Sequence, residues 1–217
     1  MLYTLAGSAV GRLIPWEGIV RCMTILSCAL TLWAGPAAAQ PAADVGLLLG
    51  LTTTSDQGSV LQFDRGRTYQ ATFAWRVWHN DSVRLAIEVP FIATPAFDVT
   101  TPGRSLPKEY ASLYLTPGVR VTVLADRAVS LFGAAGAGYA RYSESKLRVD
   151  DSANPAQLDT NTDAIQVGGG LDVRVLRWLG LRGEVRDLWT GARKFSIAPP
   201  GERVHNVVVS GGFVLMF

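Results

Sequence analysis

From Gln40 to the end of the chain, apolar and polar residues alternate with a period of two. That is the repeat of a strand with one face buried, and not the 3.6 of a helix. The pattern predicts eight strands, over 44–52, 67–78, 82–92, 110–124, 128–142, 163–176, 179–189 and 203–217. Most approach the ~9–11 residues with which a tilted strand crosses a bilayer. In the third, Val83, Leu85, Ile87, Val89 and Phe91 share one face, and Arg84, Ala86, Glu88 and Pro90 the other. The fourth sets Leu113, Leu115, Val119, Val121 and Val123 against Ser112, Tyr114, Thr116, Arg120 and Thr122. The sixth sets Ile165, Val167, Leu171, Val173 and Val175 against Gln166, Gly168, Gly170, Asp172 and Arg174. The seventh sets Leu179, Leu181 and Val185 against Arg182, Glu184 and Arg186. The fifth, VSLFGAAGAGYARY, is too rich in small residues for its faces to be assigned, and the first, VGLLLGL, is apolar on both.

The connections alternate in length. Tight ones lie at His79-Asn80-Asp81, at Ala125-Asp126-Arg127 and around Arg177-Trp178. Long polar ones cover 53–66, 93–109, 143–162 and 190–202. Tight turns at one rim and long loops at the other are the arrangement of outer-membrane barrels, with the tight turns and both termini on the periplasmic side. The predicted fold class is therefore all-β, an eight-stranded antiparallel up-and-down transmembrane barrel. After the leader no run of ~18 apolar residues occurs, so no spanning helix is expected.

Alternation alone does not say which face points inward. In water the apolar face fills the barrel, and in lipid it faces out. Two features favour the lipid arrangement. The polar face carries Arg76, Arg84, Glu88, Arg120, Asp172, Arg174, Arg182, Glu184 and Arg186 in mid-strand. Every cation among them is arginine, whose planar fork suits buried carboxylate pairs better than lysine does. A narrow lumen is filled by side chains, so these residues form a candidate lumen charge cluster. Aromatic residues also gather at strand ends. Trp75, Trp78, Trp178 and Phe217 lie toward the short-turn rim, and Tyr69, Phe91, Tyr110, Tyr139, Tyr142 and Trp189 toward the long-loop rim. Two such girdles fit rings at headgroup level.

The first residues read differently. An apolar run from Cys22 to Trp33 follows Arg12 and Arg21, is broken by Gly35-Pro36, and leads into Ala37-Ala38-Ala39. That is a secretory signal peptide over 1–39, cut before Gln40, leaving a barrel domain over 40–217. Met23 is a second candidate start, although a leader beginning there has no basic residue. Both cysteines, Cys22 and Cys28, precede the cut, so the mature chain has no disulfide framework and no thiolate metal site. Removing Arg12, Glu17 and Arg21 leaves 18 basic against 17 acidic residues, a balance that gives no reason to expect nucleic acid.

The last strand ends Ser210-Gly211-Gly212-Phe213-Val214-Leu215-Met216-Phe217. Its polar-x-Gly-x-x-apolar-x-apolar pattern, carried by Ser210, Gly212, Leu215 and Phe217, looks like the C-terminal assembly signal of outer-membrane barrels. With the eight alternating segments, the chain resembles the small OmpA/OmpX/opacity-type barrels over nearly all of 44–217. The resemblance implies residence in outer-membrane lipid, recognition of the last strand by the barrel-assembly machinery, and a monomer. It implies no peptidoglycan tether, because no periplasmic domain follows the last strand.

Signals for catalysis or cofactors are weak. The lipid A deacylase type resembles a His-x-Ser pair, but Val207 stands two after His205 and Asp81 two after His79. Asp159-Thr-Asn161-Thr-Asp163 starts like a calcium loop but lacks its glycine and closing glutamate, so it reads as a solvated loop. The Gly133-x-x-Gly136-x-Gly138 run is followed by no helix and so is no phosphate loop. No catalytic residue, cofactor or metal site is expected. The reading is a non-enzymatic barrel with a structural or surface-binding role through its loops, toward an extracellular ligand the sequence does not name. A narrow porin-like channel and a soluble periplasmic lipocalin-like carrier are the alternatives.

Overall fold

The computed structural model describes residues 42–54, 65–98, 109–148, 150–155, 159–191 and 203–217. The expected leader over 1–39 and much of each long connection lie outside these. The strands are β1 (Ala43–Thr54), β2 (Gly66–His79), β3 (Val83–Asp98), β4 (Glu109–Leu115), β5 (Gly118–Val123), β6 (Val129–Glu144), β7 (Asp159–Arg174), β8 (Leu179–Thr190) and β9 (Val204–Met216). All pairs are antiparallel. β1 pairs with β2 on one side and with β9 on the other, from Asp44↔Met216 to Thr54↔Asn206, so the sheet closes on itself. Closure removes every sheet edge, the condition for β structure in lipid.

β4 and β5 are two halves of one stave: both pair with β3 on one side and with β6 on the other. The barrel is thus eight-stranded. The continuous strand expected over 110–124 is interrupted at Thr116-Pro117, because proline has no N–H to give the ladder. The face alternation survives the break, with Ser112, Tyr114, Thr116, Arg120 and Thr122 all buried. Opposite the break, β6 comes close. A Cβ on Gly136 would lie 2.6 Å from the Thr116 carbonyl oxygen and 2.8 Å from that of Pro117, so only glycine fits there. The glycine-rich run of the fifth predicted strand serves this approach.

The apolar face points outward. Leu49 is 66% exposed and Phe213 59%, whereas Arg186 is 1% and Glu88 1%. A water-soluble barrel has the reverse arrangement, so burial decides the question that alternation left open. β1, apolar on both faces by sequence, directs Asp44, Leu48 and Thr52 inward and Leu47, Leu49 and Leu51 outward. β6, unassigned by sequence, buries Phe132, Ala134, Ala140 and Tyr142 and exposes Leu131 and Tyr139.

Two expectations are corrected. Asp159–Asp163 is not a solvated loop but the start of β7, pairing Asp159↔Ser143 through Asp163↔Tyr139. Its two threonines suit a pleated surface and continue the alternation. Tyr110 and Tyr142 do not belong to the outer girdle: both are buried inside and stack with ring centroids 5.5 Å apart. The outward aromatics at that rim include Tyr69, Tyr139 and Trp189; at the other rim Trp75, Trp78, Trp178 and Phe217 are all exposed.

Candidate functional site

The lumen holds a continuous chain of charges. Arg120 on β5 pairs with Asp44 on β1, and its Nη1 lies 3.3 Å from Glu88 Oε2 on β3. The other Glu88 oxygen meets Arg186 Nη2 on β8 at 2.6 Å. Arg186 Nε pairs with Glu184, and its Nη2 donates to Glu184 Oε2 at 3.1 Å. Arg182 donates to both carboxylate oxygens of Asp172 on β7, at 2.7 and 2.8 Å, and its Nη2 lies 3.6 Å from Asp44. Amides extend the chain. Arg186 Nη1 donates to Gln166 Oε1 at 3.1 Å, Gln70 donates to Glu184, and Ser210 Oγ donates to Gln70 Oε1 at 3.1 Å. β6 contributes Phe132, whose ring lies 4.8 Å from the Arg182 guanidinium and 5.6 Å from that of Arg120. Every stave of the barrel therefore reaches this cluster.

Removing six ions and more from water is costly, and excellent geometry must offset it. Bidentate arginine contacts provide that geometry. Each of Arg120, Arg182 and Arg186 touches two carboxylates, so no single pair carries the balance.

Of the nine residues singled out by sequence, the structure brings together Glu88, Arg120, Asp172, Arg182, Glu184 and Arg186. Arg76, Arg84 and Arg174 stand apart, at the short-turn mouth. Arg84 and Arg174 each donate from Nη2 to the Ala125 carbonyl, at 3.4 and 3.1 Å. Asp44, Gln70, Gln166 and Phe132 belong to the cluster but were not picked out. Asp44 is the sole charged residue of β1 and falls at its start, so a strand apolar on both faces concealed it.

Above the charges, toward the long connections, the lumen is filled by aromatic and aliphatic side chains. Ile92, Phe97, Tyr110, Tyr114, Ala140, Tyr142, Ala164, Leu188 and Val208 form one buried cluster, none more than 4% exposed. Hydroxyls border it: Thr68 meets Thr94 at 2.9 Å, and Tyr142 donates to Thr190 Oγ1 at 2.8 Å.

At the closing seam, Ser210 and Gly212 face the lumen. Leu215 is half-buried and Phe217 exposed. Phe217 N donates to Ala43 O at 2.9 Å, and Ala43 N to Phe217 O at 3.1 Å. A Cβ on Gly212 would strike the Leu47 carbonyl and come within 2.6 Å of Leu48 Cα, so this position takes only glycine. His205 faces outward; its Nδ1 lies 3.2 Å from Asp187 Oδ2, which also accepts from Trp189 Nε1 at 2.7 Å. His79 is an exposed residue at the end of β2.

No family model and no curated protein matches the sequence. Solved structures do match. Neisserial surface protein A superposes with a TM-score of 0.57 at 14% identity, over 81% of this chain and 97% of its own. The attachment invasion locus protein Ail of Yersinia pestis superposes with a TM-score of 0.50 at 11% identity, over 81% of this chain and 99% of its own. At such identities the likeness is one of fold, and by fold this chain is a small eight-stranded outer-membrane β-barrel.

Proposed function

We propose that this chain is a non-enzymatic barrel of the outer membrane whose lumen is sealed and whose role is carried by its long connections. The carrying observation is the double closure of the interior: an interlocked charge cluster, and above it a buried layer of aromatic and aliphatic side chains. Ions crossing would have to break several charge-assisted bonds and then leave water altogether. The outward apolar face supports a lipid environment.

One long connection supports a role as a presented surface. Past β6, the chain continues as a hairpin beyond the rim: Leu147 bridges to Ala153, Arg148 N donates to Ser152 O at 2.9 Å, and Asp151 takes a left-handed φ of 59°. An extracellular ligand would meet the bridged backbone of Leu147 and Ala153 there. Ser210, Gly212, Leu215 and Phe217 serve as the assembly signal for the barrel-assembly machinery, and residues 1–39 as the leader. The glycine at 212 fits that reading, since it lets β9 close against the backbone of Leu47 and Leu48.

The test is single-channel recording from the folded protein in planar bilayers. A silent bilayer containing verified folded protein is the expected result. Reproducible unitary steps would overturn the sealed reading in favour of a narrow channel. A protein that stays soluble in plain buffer and never inserts would favour the carrier.

A further inference from the structure

The short-turn mouth gathers three arginines, Arg76, Arg84 and Arg174. Arg84 and Arg174 reach across the opening to a single acceptor, the Ala125 carbonyl. Arg76 joins them: with Arg84, Asp44, Ala42, Ala43, Ala86 and Met216 it lines a recess that opens at this rim. Asp126 attracts Arg76, and Asp44 is already held between Arg120 and Arg182. Arg84 Nε is buried and meets no acceptor among the described residues. Arg76 and Arg174 both repel Arg84, and guanidinium forks gathered round one opening are a ready anion site.

The backbone is shaped to hold them. The turn between β5 and β6 folds inward, with Ala125 N bonded to Ser82 O at 3.2 Å and Ala125 only 2% exposed. Leu124, just before, has a φ of 56°. That left-handed conformation is strained for a residue that carries a side chain. Strain of this kind persists where the surroundings over-determine it, and here it aims the Ala125 carbonyl at two guanidiniums.

We propose that the short-turn mouth binds a phosphate-bearing anion through Arg76, Arg84 and Arg174. Phosphate fits better than a single carboxylate, because it offers more oxygens to guanidinium forks. The outward ring of Trp75, Trp78, Trp178 and Phe217 places this mouth at headgroup depth, where phosphate is abundant. The group belongs either to a phospholipid headgroup folded into the mouth or to free phosphate from solution.

The experiment uses the folded protein in nanodiscs. Inorganic phosphate is titrated calorimetrically in phosphatidylcholine discs, and native mass spectrometry counts phosphatidylglycerol retained from mixed discs. Saturable phosphate binding identifies the free anion as a ligand. Retention of phosphatidylglycerol over phosphatidylcholine, without phosphate binding, identifies the headgroup. Either signal should weaken about tenfold or more in Arg84→Gln/Arg174→Gln, the scale of one or two lost charge-assisted bonds. Arg84→Lys/Arg174→Lys, which keeps the charge but not the fork, should bind more tightly than the glutamine pair and less tightly than the wild type. Should the double glutamine variant fail to fold, Arg174→Gln alone, at an exposed strand end, should still weaken it about threefold to tenfold. Neither phosphate binding nor lipid preference in the wild type would overturn the proposal. So would a folded glutamine variant that binds as the wild type does.

Discussion

Arg186 is almost wholly buried and touches both Glu88 and Glu184. Replacing it with methionine keeps much of the volume but leaves two carboxylates in the interior without their shared cation. Uncompensated buried charge of this kind costs about 3–5 kcal/mol. Arg186→Met should therefore lower the unfolding free energy by that amount, read by guanidinium chloride unfolding in detergent micelles. A value near zero would show that water reaches the cluster. Gly212 tests the opposite kind of constraint, one of space. Its missing side chain lets β9 approach the backbone of Leu47 and Leu48. Gly212→Val should cost at least about 1–3 kcal/mol through overpacking, and it should reduce the fraction of chains that migrate as the compact folded band on unheated gels.

At the scale of the strand, alternation made the staves and their two faces legible. β3, β5, β7 and β8 direct inward the residues the period assigned to their polar face. Depth along a stave was not legible. Arg76, Arg84 and Arg174 share the inward face with Arg120 and Arg186, yet they sit at a mouth and not in the central cluster. Which residues meet is set by strand tilt and stagger, and these belong to the closed barrel and not to any one segment. Tyrosine hid for another reason. A ring with a polar tip suits a headgroup girdle and a hydrogen-bonded interior equally well, so Tyr110 and Tyr142 gave no sign of facing inward. The period alone predicts one strand over 110–124, and it carries no sign of the missing N–H at Pro117 that divides the stave. Lipid exposure itself can be tested within β1. Leu49→Arg, in the middle of the outward apolar face, should destabilise by about 2–4 kcal/mol, and Thr53→Arg near the rim by about 0–1 kcal/mol. Equal costs in liposome unfolding would count against a bilayer-facing surface.

For the whole molecule, the proposed sealing places two closures of the lumen in series. The charges tie staves together across the lower half, and buried aromatic and aliphatic side chains fill the upper half. Opening one should leave the other intact. Arg186→Ala and Tyr142→Ala should each remain silent in planar bilayers, and only the combined variant should pass measurable current. Conductance from Arg186→Ala alone would mean that the aromatic layer is not a barrier.

Ala43 and Phe217 exchange two backbone hydrogen bonds at one rim. Through that exchange the first stave gains the neighbour it would otherwise lack, and so does the last. The described staves form a ring in which each is flanked on both sides. Their order along the chain is then a record of how the ring is threaded, and the finished architecture assigns no stave the place of first or last.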